Sequence, residues 1–279
     1  MEKIHRRKIL LQVVIIYILC FVFRIFEYFF LHTDRTLIGE AIVHKLIGIA
    51  IMLIAMKQLQ LTLMEIGYTK ENVWKNLLKG LAFGVSMFII AYAAEIVMVV
   101  LQGKFDSLQI YVSTYAVDRN VGNQTAVIFF LICIMGNIIN VLMEEGIFRG
   151  LFMKVLEDKY SFIISAIITS CLFGLWHMVG PVRNYCEGIS SMGGMIANII
   201  MLVVTSGLVG FKFTLLTKMT GNLYMAMGDH FVNNTIVNLL HVVSDTGADE
   251  LMFIRLTIAQ SVSFIVVLVC YIHRCCKKA

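Results

Sequence analysis

The chain has 279 residues, 59% of them hydrophobic and 15% charged, with a mean hydropathy of +0.85 and a formal net charge of +5. A soluble domain carries about 25% charged residues, so this composition excludes a water-soluble globular enzyme and points to an integral membrane protein. The positive balance calls for no nucleic-acid partner: Lys and Arg gather on the cytoplasmic face of membrane proteins, where anionic headgroups attract them.

The start, "MEKIHRRKILLQVVIIYILCFVF", has the basic flank and apolar run of a signal peptide, but the run continues to Leu31 and no small-x-small cleavage site follows. It is expected to stay attached as a first span. A bilayer core about 30 Å thick takes roughly 20 apolar residues per helix, and windows of that length give about eight candidates. In chain order they cover 9–31, 38–56, 78–101, 126–148, 161–180, 194–216, 219–241 and 252–272. Between the second and third, "YTKENVWKNLLKGL" reads as an amphipathic helix lying at the interface.

The connecting segments alternate in their basic residues. Lys3, Arg6, Arg7 and Lys8 fall on one side with Lys57, Lys70, Lys75, Lys79, Arg149, Lys154, Lys159, Lys212, Lys218, Arg274, Lys277 and Lys278. The other side has only isolated Arg35, Lys104, Arg119 and Arg183, with the acidic "SDTGADE". An even number of spans with both termini cytoplasmic satisfies this tally. The fold expected is all-α and polytopic, with about eight spans. Residues 1–124 hold the first three spans and the interfacial segment, 125–245 a catalytic core, and 246–279 the last span and a basic tail. Cys20, Cys133, Cys171, Cys186, Cys270, Cys275 and Cys276 show no C-x-x-C spacing and mostly lie in apolar runs, which reads as small core residues rather than disulfides or a zinc knuckle.

Ionisable groups inside spans are expensive and therefore informative. Glu144, Glu145 and Arg149 sit together in "NVLMEEGIFRG"; "FGLWHMVG" places Phe173 and His177 on one helix face, and "GDHFVNNTIVN" does the same for His230 and Asn234. Arg24 and Glu27 in the first span read as a structural pair; His44, His241, Asn233 and Asn238 read as ordinary buried polar residues. If the fourth helix runs to Glu157 and "DKY" is the turn, Glu144 stands roughly 21 Å and His177 roughly 25 Å from that turn, while His230 and Asn234 stand roughly 14 to 20 Å above the turn near "MTGN". The three motifs are thus expected to meet in one layer, between helices 4, 5 and 7.

The trio "EEGIFR", "FGLWH" and "HFVNN", in that order on separate apolar helices, resembles the CPBP family of intramembrane proteases, which includes the CAAX prenyl endopeptidases and bacterial Abi-type proteins. That family's motifs are written EExxxR, FxxxH and HxxxN, and all three are complete here; the resemblance covers roughly 125 to 245. One EExxxR alone is common on ordinary helices. Three motifs together are not.

Peptide hydrolysis inside a membrane needs an activated water, a donor for the oxyanion and a proton for the leaving amine. Glu144 is the expected general base; Glu145 pairs with Arg149 one turn away and holds the helix in register. His177 holds or shuttles the proton of the same water, and His230 and Asn234 donate to the oxyanion. The resemblance implies the same roles. Zinc is the alternative activator, with Glu144, His177 and His230 as its ligands, but the H-E-x-x-H that fixes zinc geometry on a helix is absent, so no cofactor is favoured. The partners expected are a membrane-associated peptide or protein substrate and the lipid bilayer, in a bacterial plasma membrane. Two other readings carry the same residues: an immunity-type protein that binds a peptide without cutting it, and a proton-coupled transporter. The transporter reading is weakened by the lack of internal repeats and by a single proline, Pro181, expected in a loop.

Overall fold

Among the described residues, six helices are long and apolar enough to cross a membrane: Lys8–Arg35, Val73–Leu101, Val127–Glu157, Phe162–Cys186, Met192–Thr220 and Met252–Cys276. They fall on six of the expected stretches, each extended at one or both ends. The computed structural model describes residues 2–36, 38–113 and 122–277, with side chains from Lys8 onward. The basic side chains of Lys3, Arg6, Arg7, Arg119 and Lys278 lie outside the described residues.

The other two expected spans are shorter helices, α2 (Val43–Gln58) and α9 (Tyr224–Leu239), each of 16 residues. At 1.5 Å per residue they reach about 24 Å. The hydropathy window overran α9 because the apolar run continues as a strand, β4 (Leu240–Ser244), whose residues are as apolar as a helix's but no longer helical. β4 pairs antiparallel with β1 (Phe105–Ile110), and β2 (Val112–Ser113) with β3 (Asn123–Gln124), two small pairings in a fold whose mostly helical make-up fits the all-α expectation.

Three expectations are corrected. The interfacial helix is not a separate element: Asn72 takes a positive φ of 54°, and helix α3 (Val73–Leu101) runs without a break from Trp74, Lys75 and Lys79 into the span. Pro181 lies in the first turn of a short helix, α7 (Val179–Cys186), where the missing N–H costs no helical hydrogen bond. Only Cys20 and Cys133 are buried; the other five cysteines are exposed. All five lie on the long apolar helices, where facing hydrocarbon is as acceptable to a thiol as facing a core.

The chain forms two compact units. The first comprises Met1–Thr33, Ala41–Asn72 and Ile139–Leu223, the second Asp34–Glu40, Val73–Ile138 and Tyr224–Ala279. The first contains α1 (Glu2–Phe26), a π-helical turn (Glu27–Leu31), α2, the end of α4 (Val127–Glu144), a π-helical segment (Glu145–Phe152), α5 (Met153–Glu157), α6 (Phe162–Trp176), α7 and α8 (Met192–Thr220). Its core joins Val13, Tyr17, Met143, Phe148, Phe152 and Trp176. Between lipid-embedded helices the hydrophobic effect supplies little, so close backbone approach must. Gly174 provides it on α6, since a Cβ there would collide with the Val203 carbonyl of α8.

In the second unit α3 packs on α9 through Gly80, Gly84 and Gly228. A Cβ on Gly80 would collide with the Met225 carbonyl oxygen; one on Gly228 would stand 2.6 Å from the Leu77 carbonyl oxygen and 2.8 Å from the Leu81 nitrogen. This seats the helix that carries His230 and Asn234. Gly80→Ala is expected to destabilise the protein by about 1–3 kcal/mol, the usual cost of overpacking, read as a lower thermal midpoint in detergent. Gly193→Ala, with open space around its Cβ, is the control; equal midpoints in the two variants would refute the close-packed seam.

A buried polar clamp ties α3, β4 and α10 (Met252–Cys276) together. Arg255, 0% exposed, donates from Nη1 to Glu95 at 2.8 Å and from Nη2 to Asp249 at 2.9 Å. Asp249 also pairs with His241 Nδ1 at 2.5 Å, and the His241 ring stacks on Tyr111 at 3.8 Å. Burial pulls the Asp249 carboxyl up, but the His241 hydrogen bond and the charge of Arg255 hold it below the usual carboxylate value.

Candidate active site

The EEGIFR motif does not lie on a regular α-helix. α4 ends at Glu144 and the backbone widens into π-helix from Glu145 to Phe152, every residue of which is buried. Such segments are rare and concentrate at functional sites. Two glycines fit this one into its surroundings: a Cβ on Gly146 would press within 2.7 Å of Met52 Sδ and Tyr68 Oη, and one on Gly150 within 2.8 Å of the Ile66 carbonyl oxygen.

Glu145 is fully buried and its Oε1 lies 3.2 Å from Arg149 Nη1, the pairing its spacing predicts. The guanidinium is then enclosed. It lies 3.9 Å over the Phe173 ring and 5.3 Å from the Phe213 ring centroid, with Nε donating to the Gly210 carbonyl at 3.4 Å. Gly210 must be glycine for this, since a Cβ would stand 2.7 Å from Arg149 Nη2. Phe173 of the FxxxH motif is therefore a face for the arginine, a cation–π contact that desolvation strengthens.

Glu144 turns elsewhere. It is 3% exposed; its Oε1 accepts from Trp176 Nε1 at 2.9 Å and its Oε2 from Asn140 Nδ2 at 3.3 Å. A carboxylate offers about four acceptor positions, and these two donors fix its plane. Arg24 Nη1 stands 3.9 Å from Oε1, with its guanidinium 4.6 Å over the Trp176 ring.

Arg24 and Glu27 do not pair with each other as expected. Glu27 instead accepts from the Val43 and His44 backbone N–H groups at 2.8 and 2.6 Å, from His44 Nδ1 at 2.6 Å, and from Thr33 Oγ1. That fixes the neutral His44 ring with its proton on Nδ1, so Nε2 is the acceptor facing Arg24 Nη1 at 3.4 Å. Two residues of the first span thus reach different partners, at a point where the backbone, too, turns π-helical, at Glu27.

His177 caps the C-terminus of α6. Its Nδ1 donates to the Phe173 carbonyl at 2.8 Å, and the two rings meet edge to face at 4.9 Å. In the neutral ring this leaves the lone pair on Nε2, the nitrogen suited to proton chemistry. The preceding residue, Trp176, touches Glu144.

The first unit thus brings together Glu144, Glu145, Arg149, Phe173 and His177. His230, buried, and Asn234, half-buried, belong to the second unit, on consecutive turns of α9. Trp176 and Asn140 gave little warning in the sequence. Asn140 lies one turn before Glu144, where helical neighbours meet, and Trp176 sits inside the FGLWH motif without belonging to its spacing.

A family model described as Rce1-like, type II CAAX prenyl endopeptidase, matches residues 125–236. That interval contains every motif residue from Glu144 to Asn234. Over that interval, the chain is similar to the CAAX-protease-like family. The matched interval is about two-fifths of the chain, and Arg24, Glu27 and His44 lie before it. No curated protein matches the chain. The six long apolar helices make this an integral membrane protein, and the matched interval is similar to a protease family.

Proposed function

We propose that the protein is an intramembrane endopeptidase in which Glu144 activates a water against a peptide bond of a membrane-associated substrate. The observation that carries this reading is the setting of Glu144, a buried carboxylate whose two oxygens are aimed by Trp176 and Asn140 while its neighbour Glu145 is spent on Arg149. His177 relays the proton. His230 and Asn234 stabilise the oxyanion. α2 and α9 complete eight crossings, with both termini cytoplasmic, in a bacterial plasma membrane. Substrate enters from the bilayer or its cytoplasmic interface, and the family description makes a lipidated C-terminal peptide the first to try.

The surroundings of Glu144 fit a metal poorly. A zinc ion there would compete with N–H donors already on both oxygens and would meet the positive charge of Arg24 at 3.9 Å. The reading is therefore of a metal-independent base. Purified protein in proteoliposomes is expected to release the C-terminal fragment of an S-prenylated peptide and to keep doing so after prolonged treatment with a strong chelator. Asn234→Ala is expected to lower kcat by about 10²- to 10³-fold with little change in KM, as for loss of one oxyanion donor. Activity lost to the chelator and restored by zinc, with stoichiometric zinc in the purified protein, would overturn the metal-free mechanism.

A further inference from the structure

Three side-chain amides form a row in the second unit. Gln260 on α10 donates from Nε2 to Asn233 Oδ1 at 2.5 Å, and Asn233 donates from Nδ2 to Asn234 Oδ1 at 3.0 Å. The row has a direction. Each asparagine presents its oxygen toward the Gln260 end and its NH2 away from it, so Asn234 has its oxygen occupied and its Nδ2 without a hydrogen-bond partner among the described residues.

An amide is nearly symmetric in shape but not in chemistry, since one end only accepts and the other only donates. Turning Asn233 alone would set its oxygen against that of Asn234 and its NH2 against that of Gln260. The row therefore has two self-consistent states: the one seen, and one with all three amides turned. In the second state Asn234 would present an oxygen where its NH2 now stands, which repels a developing oxyanion instead of stabilising it.

We propose that Gln260 is a positioning residue that, through Asn233, fixes the Asn234 amide with its NH2 outward as a hydrogen-bond donor. The inference rests on the oxyanion role of Asn234 proposed above and extends the site to the last helix, beyond the segment that the family model matches. It also gives Asn233, which reads in the sequence as an ordinary buried amide, a defined task.

Side chains of similar reach but opposite hydrogen-bonding sense test it. Gln260→Lys only donates and preserves the direction; Gln260→Glu, when ionised, only accepts and reverses it; Gln260→Met does neither. We expect Gln260→Lys to stay within about threefold of wild type and Gln260→Glu and Gln260→Met to lose about 10- to 100-fold in kcat, short of complete loss of a donor, with KM and thermal midpoint nearly unchanged. A packing role would make Lys at least as harmful as Met, and that ranking would overturn the proposal. Asn233→Asp supplies a second reversal at the middle of the row, for use if a Gln260 variant fails to fold. Hydrogen exchange of the Asn234 side-chain amide, followed by ¹⁵N NMR in asparagine-labelled protein, reads the orientation without catalysis: fast in wild type and Gln260→Lys, slowed in Gln260→Glu. If wild type cleaves no peptide but the exchange follows this order, the endopeptidase reading fails and the amide row stands. If exchange is the same in all variants while wild type cleaves peptide, the amide row fails.

Discussion

Replacing Glu144 by Gln is expected to lower kcat by about 10²- to 10⁴-fold, the usual contribution of a positioned general acid or base, with the protein still inserting and folding. The substitution keeps volume and shape. The new side-chain amide would still accept from the Trp176 indole through its oxygen, and the Asn140 amide can turn to offer its own oxygen to the new NH2. What disappears is proton acceptance. Arg24 loses an anion 3.9 Å away but keeps His44 Nε2 at 3.4 Å, Tyr28 Oη at 3.5 Å and the Trp176 face, so it is not stranded. The measurement is steady-state cleavage of a prenylated peptide, with a thermal midpoint to confirm folding. Turnover near wild type would remove Glu144 from the mechanism. Full biological protection by a variant that cleaves nothing would instead favour the immunity-type reading, in which the fold captures a peptide.

The long spans were legible because hydrocarbon runs of bilayer length have few other uses. Their polar interruptions were legible because an ionisable group in such a run demands a partner. The identity of the partner was another matter. Spacing found Glu145 with Arg149 because both lie on one turn; the same rule put Arg24 with Glu27, and it failed there because His44, from another helix, is a better match for Glu27 than its neighbour. Local spacing lists possible partners on one element and is silent about the rest. The π-helical turns at Glu27 and Glu145 lie beyond periodicity for a related reason: one extra residue in a turn shifts a face without changing composition. The glycines at 80, 84 and 228 were visible as letters, but only the close approach of α3 and α9 shows what a methyl group would meet. The amide row from Gln260 to Asn234 joins residues 26 positions apart, and no pattern along either helix announces it.

Glu145→Gln is expected to cost about 3–5 kcal/mol of stability, because it leaves a buried charge without its counter-ion. Arg149 cannot compensate by moving. Its guanidinium is held between Phe173 and Phe213, its Nε is directed at the Gly210 carbonyl, and that glycine leaves no room behind it. The readouts are yield after solubilisation and thermal midpoint, alongside activity. Pairing the change with Arg149→Met separates charge from shape: the double variant removes both charges from an aromatic setting that suits a thioether, so it should recover most of the lost stability, as apolar replacements of buried ion pairs often do. Recovery of stability with activity returning in proportion would place this pair in the scaffold. A Glu145→Gln variant as stable as wild type yet inactive, beside a Glu144→Gln variant that still cleaves, would exchange the roles of the two glutamates.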